Sequence, residues 1–322
     1  GVQLAVEDVN KEYASKGFHV TVQVVDDRAL YEEGVEAASV TAENNTVTAV
    51  FNLQNFDVSK TTAGILSDSG KPTIFPYGAY DSLFTQNNPY VFCTVAAFSD
   101  LGKAMAAYAV KQGYQRIAVY HNGTQSQEEL CTAFELALKD TGSKVVDYIP
   151  SIASDSEFDG IYGRWQALDV DCAVITQYGL DRAFEVLEMI RAKDSDLPVL
   201  GEPIFNRANA LEVYRDIAEG MAIPSTLVLE QSEKLLQFSE RYRQKFDKDM
   251  DIWSVQGYDM LRMVVDTAVR LDTNDPQQIA AALHEQQGYQ GIGRHIAFTE
   301  GGALITDVSR LPILTCRNGV FE

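Results

Sequence analysis

The chain has 322 residues, 46% of them hydrophobic and 22% charged. That length and apolar content suit two packed domains and exclude a disordered chain. A formal net charge of -20 excludes nucleic acid and an anionic membrane surface as partners, because the electrostatic attraction that drives such binding is here a repulsion.

Val2, Val6, Val9 and Tyr13 recur at helical spacing, so an amphipathic helix opens the chain. Phe18, Val20, Val22 and Val24 alternate with polar residues and predict a strand. A doubly wound domain begins with a strand at its sheet centre, so a strand is expected upstream of Gly1. A helix over 30–43, a strand over 47–51, a helix over 58–69 and a strand over 72–76 continue the βα rhythm of a parallel sheet covered on both faces. Then 90–95 reads as strand, Ser99 and Asp100 offer N-cap oxygens to a helix over 101–112 that Gly113 stops, and 116–121 is strand again.

The rhythm restarts beyond a crossover at 95–99. A helix over 124–140 carries Ser126 and Glu129 at capping-box spacing; the strand 145–150 and a helix reaching Leu168 follow. Strand 172–177, helix 181–192, strand 198–201, helix 206–218 and strand 221–228 complete a second sheet. The helices 230–246, 254–271 and 276–285 return the chain to the first domain. A final hairpin is predicted between 303–306 and 311–315, turning at 307–310.

Cys93, Cys131, Cys172 and Cys316 lie at no metal spacing and read as buried thiols. No run approaches the roughly 18 apolar residues of a membrane span, and no basic, apolar leader is visible. His19, His121, His284 and His295 are scattered, and only His121 falls at the end of a predicted strand. The glycines from Gly288 to Gly293 follow a helix instead of a first strand, which is the wrong context for a phosphate loop. No Walker loop, nucleophile elbow or metal pair is present, so the sequence reads as a binder and not an enzyme, with no cofactor.

GVQLAVEDVN at the start, VVDD at Val24, SGKPTIFPYGA at Ser69, PYVFCTV at Pro89, QRIAVY at Gln115, LGEP at Leu200, AEGM at Ala218 and GYDML at Gly257 occur in an order and spacing that resemble the type I periplasmic solute-binding proteins, the leucine/isoleucine/valine-binding protein family of ABC importers. The resemblance covers nearly the whole chain. It implies an α/β fold of two doubly wound parallel-sheet lobes joined by a three-strand hinge: residues 1–96 with 227–304 as lobe I, 97–226 with 305–322 as lobe II, and a ligand cleft between them that closes like a Venus flytrap. It also implies an extracytoplasmic, monomeric protein, periplasmic or a cell-surface lipoprotein, with its signal peptide removed, that delivers a small organic solute to membrane permease subunits. The alternatives are the ligand-sensing domain of a membrane receptor and, remotely, an α/β enzyme.

In such proteins the solute meets loops at the carboxyl ends of strands, where open α/β sheets place ligands on physical grounds. The resemblance transfers as follows. Amino-acid-binding relatives hold a carboxylate with a serine in the first loop; that position falls here at Phe56, flanked by Gln54 and Asn55. Their second loop uses backbone amides and a threonine; here it reads Tyr77, Gly78, Ala79, Tyr80, Asp81, with Tyr80 near the threonine position. A family tyrosine in the third loop becomes Ser126, Tyr178 matches another, and Glu202 lies near the acid that takes an ammonium. Loss of the hydroxyl and gain of aromatic wall weaken the expectation of plain leucine, isoleucine or valine. They favour a solute with a flat apolar part and a polar group, an amino acid or derivative among the options.

Overall fold

The computed structural model describes residues 1–54, 56–77, 80–84, 88–177, 179–285 and 287–322, the side chains of Phe56 and Asp57 apart. The chain divides into two compact units, one made of Gly1–Ala96 and Leu229–Ile305, the other of Ala97–Val228 and Thr306–Glu322.

In the first unit the helix Val2–Tyr13 buries Leu4, Ala5 and Val9 against the long helix Ile252–Leu271, in a cluster with Leu235, Phe238, Leu261 and Val265. The long helix starts at a reciprocal cap: Asp251 accepts from the Ser254 N–H at 2.7 Å, and the Ser254 hydroxyl faces back. Strands Val50–Phe51, Thr73–Phe75 and Val91–Cys93 run parallel in that order. Ile74 and Phe92 from these strands meet Met260, Met263 and Ile279 in a second core. The helices Tyr31–Glu43, Phe56–Asp68, Asp81–Phe84, Glu233–Phe246 and Pro276–Leu283, with the ribbon of Tyr289–Gln290 and His295–Ile296, complete the unit.

The second unit carries a seven-stranded sheet. Lys144–Ile149, Arg116–His121, Cys172–Thr176, Val199–Gly201 and Ala222–Pro224 are neighbours in that order and parallel; Ile313–Arg317 and then Val320–Phe321 extend it antiparallel. The central strands are buried end to end, as expected of strands covered on both faces. Phe158, Trp165, Phe184 and Phe205 fill one core beside Ile175 and Val199.

Three local expectations fail. Residues 18–27 form no strand: the alternation is there, but the segment finds no ladder partner among the described residues, and Val22, Val24 and Val25 stay exposed. Asn10 instead bonds both backbone groups of Val20, at 2.8 and 2.7 Å. The closing hairpin is not 303–306 with 311–315; Ile313–Arg317 pairs with Val320–Phe321 around Asn318 and Gly319, both at positive φ (52° and 78°), an Asn-Gly turn of the kind that matches strand twist. Neither expected side-chain cap forms. The helix Phe98–Gln112 is preceded by Ala97, and Asp100 pairs with Lys103 at 2.9 Å; the helix Gln125–Leu138 has Thr124 at its N-cap, without a side-chain bond. Gly113 does stop its helix, at φ 82°. All four cysteines are free and buried.

Candidate functional site

In the second unit, three parallel strands end side by side at His121, Thr176 and Gly201, and the segments just beyond them carry a connected polar cluster. Glu202 follows the strand Val199–Gly201 and is only 5% exposed. Its Oε1 accepts from the Gln177 backbone N–H at 2.6 Å and from Gln127 Nε2 at 3.0 Å; its Oε2 accepts from the same Nε2 at 3.2 Å. Burial pushes the Glu202 carboxyl up to about 7, against the opposing pull of the Gln127 and Gln177 donors.

Gln127 is itself held. Its Oε1 accepts from the Ser126 hydroxyl at 3.0 Å, and Ser126 Oγ lies 3.4 Å from Thr124 Oγ1. The expected capping box is missing because the helix starts earlier, which puts Ser126 inside it and not at the N-cap. Beneath the cluster, Thr176 donates to the Tyr120 carbonyl at 3.1 Å, with Cys131 Sγ 3.5 Å from Thr176 Oγ1. Burial keeps the Cys131 thiol protonated, raised to about 11. Among the described residues, two buried side-chain atoms in these segments have no partner: Gln177 Oε1 and His121 Nδ1.

In the first unit, the strand Val50–Phe51 leads into Asn52 and Gln54, and these bond their own neighbourhood. Asn52 Nδ2 donates to Thr62 Oγ1 at 3.0 Å, Asn52 Oδ1 accepts from the Gln54 N–H at 2.9 Å, and Thr62 Oγ1 donates to Gln54 Oε1 at 2.6 Å. Phe56 begins the helix Phe56–Asp68. Tyr77, after the strand Thr73–Phe75, is partly exposed and donates its hydroxyl to the Leu53 carbonyl. With Phe51, Leu53, Pro76, Trp253 and Met260 it lines a groove of about 420 Å³. Tyr80 is a core residue at 7% exposure, and Asp81 opens the helix Asp81–Phe84. Asn55, Ala79 and Tyr178 lie outside the described residues.

The structure thus joins Ser126 to Glu202 through Gln127, a residue that sequence reasoning passed over. It also reveals Gln256, buried at 1% exposure, whose Nε2 donates to the Pro76 carbonyl at 2.6 Å and to Thr94 Oγ1 at 2.9 Å, directly beyond two strand ends. Neighbouring Arg294 is 4% exposed; it donates to the Thr94 carbonyl at 2.5 Å and faces Asp259 at 3.5 Å. Among the described residues no group of His, Cys, Asp and Glu could hold a metal ion, and no helix is long and apolar enough to cross a membrane.

Comparison with known proteins agrees with this architecture. A leucine-, isoleucine-, valine-, threonine- and alanine-binding protein of Pseudomonas aeruginosa is 19% identical over 94% of this chain and 81% of its own length. A Leu/Ile/Val-binding protein of Escherichia coli is 22% identical over 69% of this chain, which spans 60% of that relative. Among solved structures, an ABC transporter substrate-binding protein from Desulfitobacterium hafniense in complex with Leu covers all of this chain, and 93% of its own, at a TM-score of 0.89 and 21% identity. A solute-binding protein from R. palustris in complex with benzoate covers all of it, and 89% of its own, at 0.79 and 16% identity. The profile of the periplasmic binding proteins matches residues 1–311, and the chain belongs to that family.

Proposed function

We propose that this protein is the extracytoplasmic solute-binding component of an ABC importer. It captures a small organic solute with the strand-end loops of both units and hands it to permease subunits in the membrane. The observation that carries this reading is the Glu202 cluster: a buried carboxylate, fixed by the Gln177 backbone N–H and by Gln127 of the helix Gln125–Leu138, at the carboxyl ends of parallel strands, where α/β sheets place ligands. The two units serve as lobes. Solute contacts from both exist together only in a closed state, so binding shifts an open–closed equilibrium, and the permease reads the closed form.

The groove beside Tyr77 offers aromatic and aliphatic wall in the first unit; on this reading Gln54, Asn55, Phe56, Ala79, Tyr80 and Asp81 of the first unit and Ser126, Tyr178 and Glu202 of the second are the residues that meet the solute. The protein works as a monomer outside the cytoplasmic membrane, free or lipid-anchored, and returns its solute unchanged. Calorimetry on the purified chain with leucine, isoleucine and benzoate tests the reading. One of these binding with 1:1 stoichiometry is the expected result. No heat from any of them, together with no small molecule released on denaturing the purified protein, overturns it.

A further inference from the structure

The strand Ile313–Arg317 turns back into Val320–Phe321 through Asn318 and Gly319 alone, with Cys316 paired to Phe321 and Arg317 to Val320. Asn318 is exposed, and among the described residues its carboxamide has no hydrogen-bond partner; its backbone N–H donates to Glu219 Oε2 at 2.8 Å. The Gly319 N–H meets the sulfur of Cys316, a weak acceptor. Val320–Phe321 has two residues and lies at the edge of its sheet, so this turn opens locally at low cost. The sequence has one other Asn-Gly pair, Asn122-Gly123. There the asparagine is half-buried, and its carboxamide oxygen accepts from the Thr124 N–H at 3.4 Å.

Glycine after asparagine exposes its backbone nitrogen to the carboxamide, because no side chain stands in the way. We propose that Asn318 is a site of spontaneous covalent modification, deamidation to aspartate and isoaspartate, with water as co-reactant and no enzyme. The Gly319 nitrogen loses its proton and attacks Asn318 Cγ. The new N–Cγ bond closes a succinimide ring as the carboxamide C–N bond breaks, and the displaced nitrogen leaves as ammonia with that proton. Water then opens the ring at Cγ, giving aspartate, or at the main-chain carbonyl, giving isoaspartate.

The products weaken the hairpin in two ways. Isoaspartate routes the main chain through Cβ and lengthens a turn whose two residues set the register of Phe321, a core residue of the second unit. Either isomer puts a carboxylate beside Glu219, in a chain whose net charge is already -20.

The test needs no solute. The purified chain is aged warm in mildly alkaline buffer, which favours loss of the Gly319 proton, and in mildly acidic buffer. Peptide mapping by mass spectrometry follows, with fragmentation that separates the two isomers. The peptide holding Asn318 converts from amide to acid, isoaspartate included, faster in the alkaline sample and ahead of the peptide holding Asn122. Asn318→Gly has no carboxamide and keeps a turn of the same type, so it serves as the control. Each compared with its own fresh sample, aged wild type melts lower by about 2–4 °C and aged Asn318→Gly does not move. An Asn318 that stays intact, alone or while Asn122 converts, overturns the proposal. So does an equal fall in aged Asn318→Gly, and so does a converted wild type that melts as before.

Discussion

Glu202→Gln isolates what one buried carboxyl does to stability. In the folded chain burial raises this group to about 7 from its ordinary 4.5. The folded state therefore keeps a proton that the unfolded chain has already released, so this group's contribution to stability is fully present below about pH 4.5 and is lost as pH rises through about 7. At about 1.36 kcal/mol per pH unit, the gap between the two values is worth roughly 3 kcal/mol between pH 4.5 and 8. Glutamine is close in shape and does not titrate, so the variant lacks this decline. Its stability relative to wild type should improve by roughly 3 kcal/mol across that range, whatever fixed amount the altered pairing with Gln127 adds or removes.

The two tryptophans make the measurement local. Trp165 lies in the core of the second unit and Trp253 in the first, so a Trp253→Phe background reports unfolding of the second unit alone. Urea unfolding followed by Trp165 fluorescence at several pH values, with and without Glu202→Gln, gives the two curves. Parallel curves would refute the assignment of a raised carboxyl to Glu202.

Two further predictions concern packing and charge. An alanine at Gly102 would place its Cβ 2.2 Å from the Leu130 carbonyl oxygen and 3.0 Å from the Phe134 nitrogen; both are backbone atoms of the facing helix and cannot rotate away, so Gly102→Ala should destabilise the second unit by about 2 kcal/mol or more, read by the same Trp165 transition. Arg294→Met strands the buried Asp259 carboxylate and should destabilise the first unit by about 3–5 kcal/mol, whereas Arg294→Met with Asp259→Leu should recover most of that loss; equal losses in single and double variants would show that the ion pair does not matter.

The alternation of apolar strands and amphipathic helices was legible because burial on two faces leaves a strong mark on composition, as in CAVIT of Cys172–Thr176. Pairing was less so. Phe18 to Val24 has the period of a strand, but periodicity reports which side chains face inward and says nothing about a hydrogen-bonding neighbour. The hairpin signal at Asn318-Gly319 was present in the sequence and lost to a longer apolar run upstream. At the candidate site, Ser126 and Glu202 were marked from the sequence, while Gln127 was not. A glutamine in an amphipathic helix reads as surface, and only the fold brings it against a carboxylate 75 residues away.

The interrupted path of the first unit also governs when it can form. The Tyr258 hydroxyl donates to Asp8 at 2.8 Å across a separation of 250 residues, and Leu4 and Val9 find their core only on a helix that the ribosome supplies after the whole of residues 97–228. Residues 1–96 thus have no complete core to fold onto until residues 229–305 have followed them. Contacts this distant also close slowly, since the entropy of a long loop must be overcome before they reward it. Until residues 229–305 have been made, the first unit stays without the helix that completes its core.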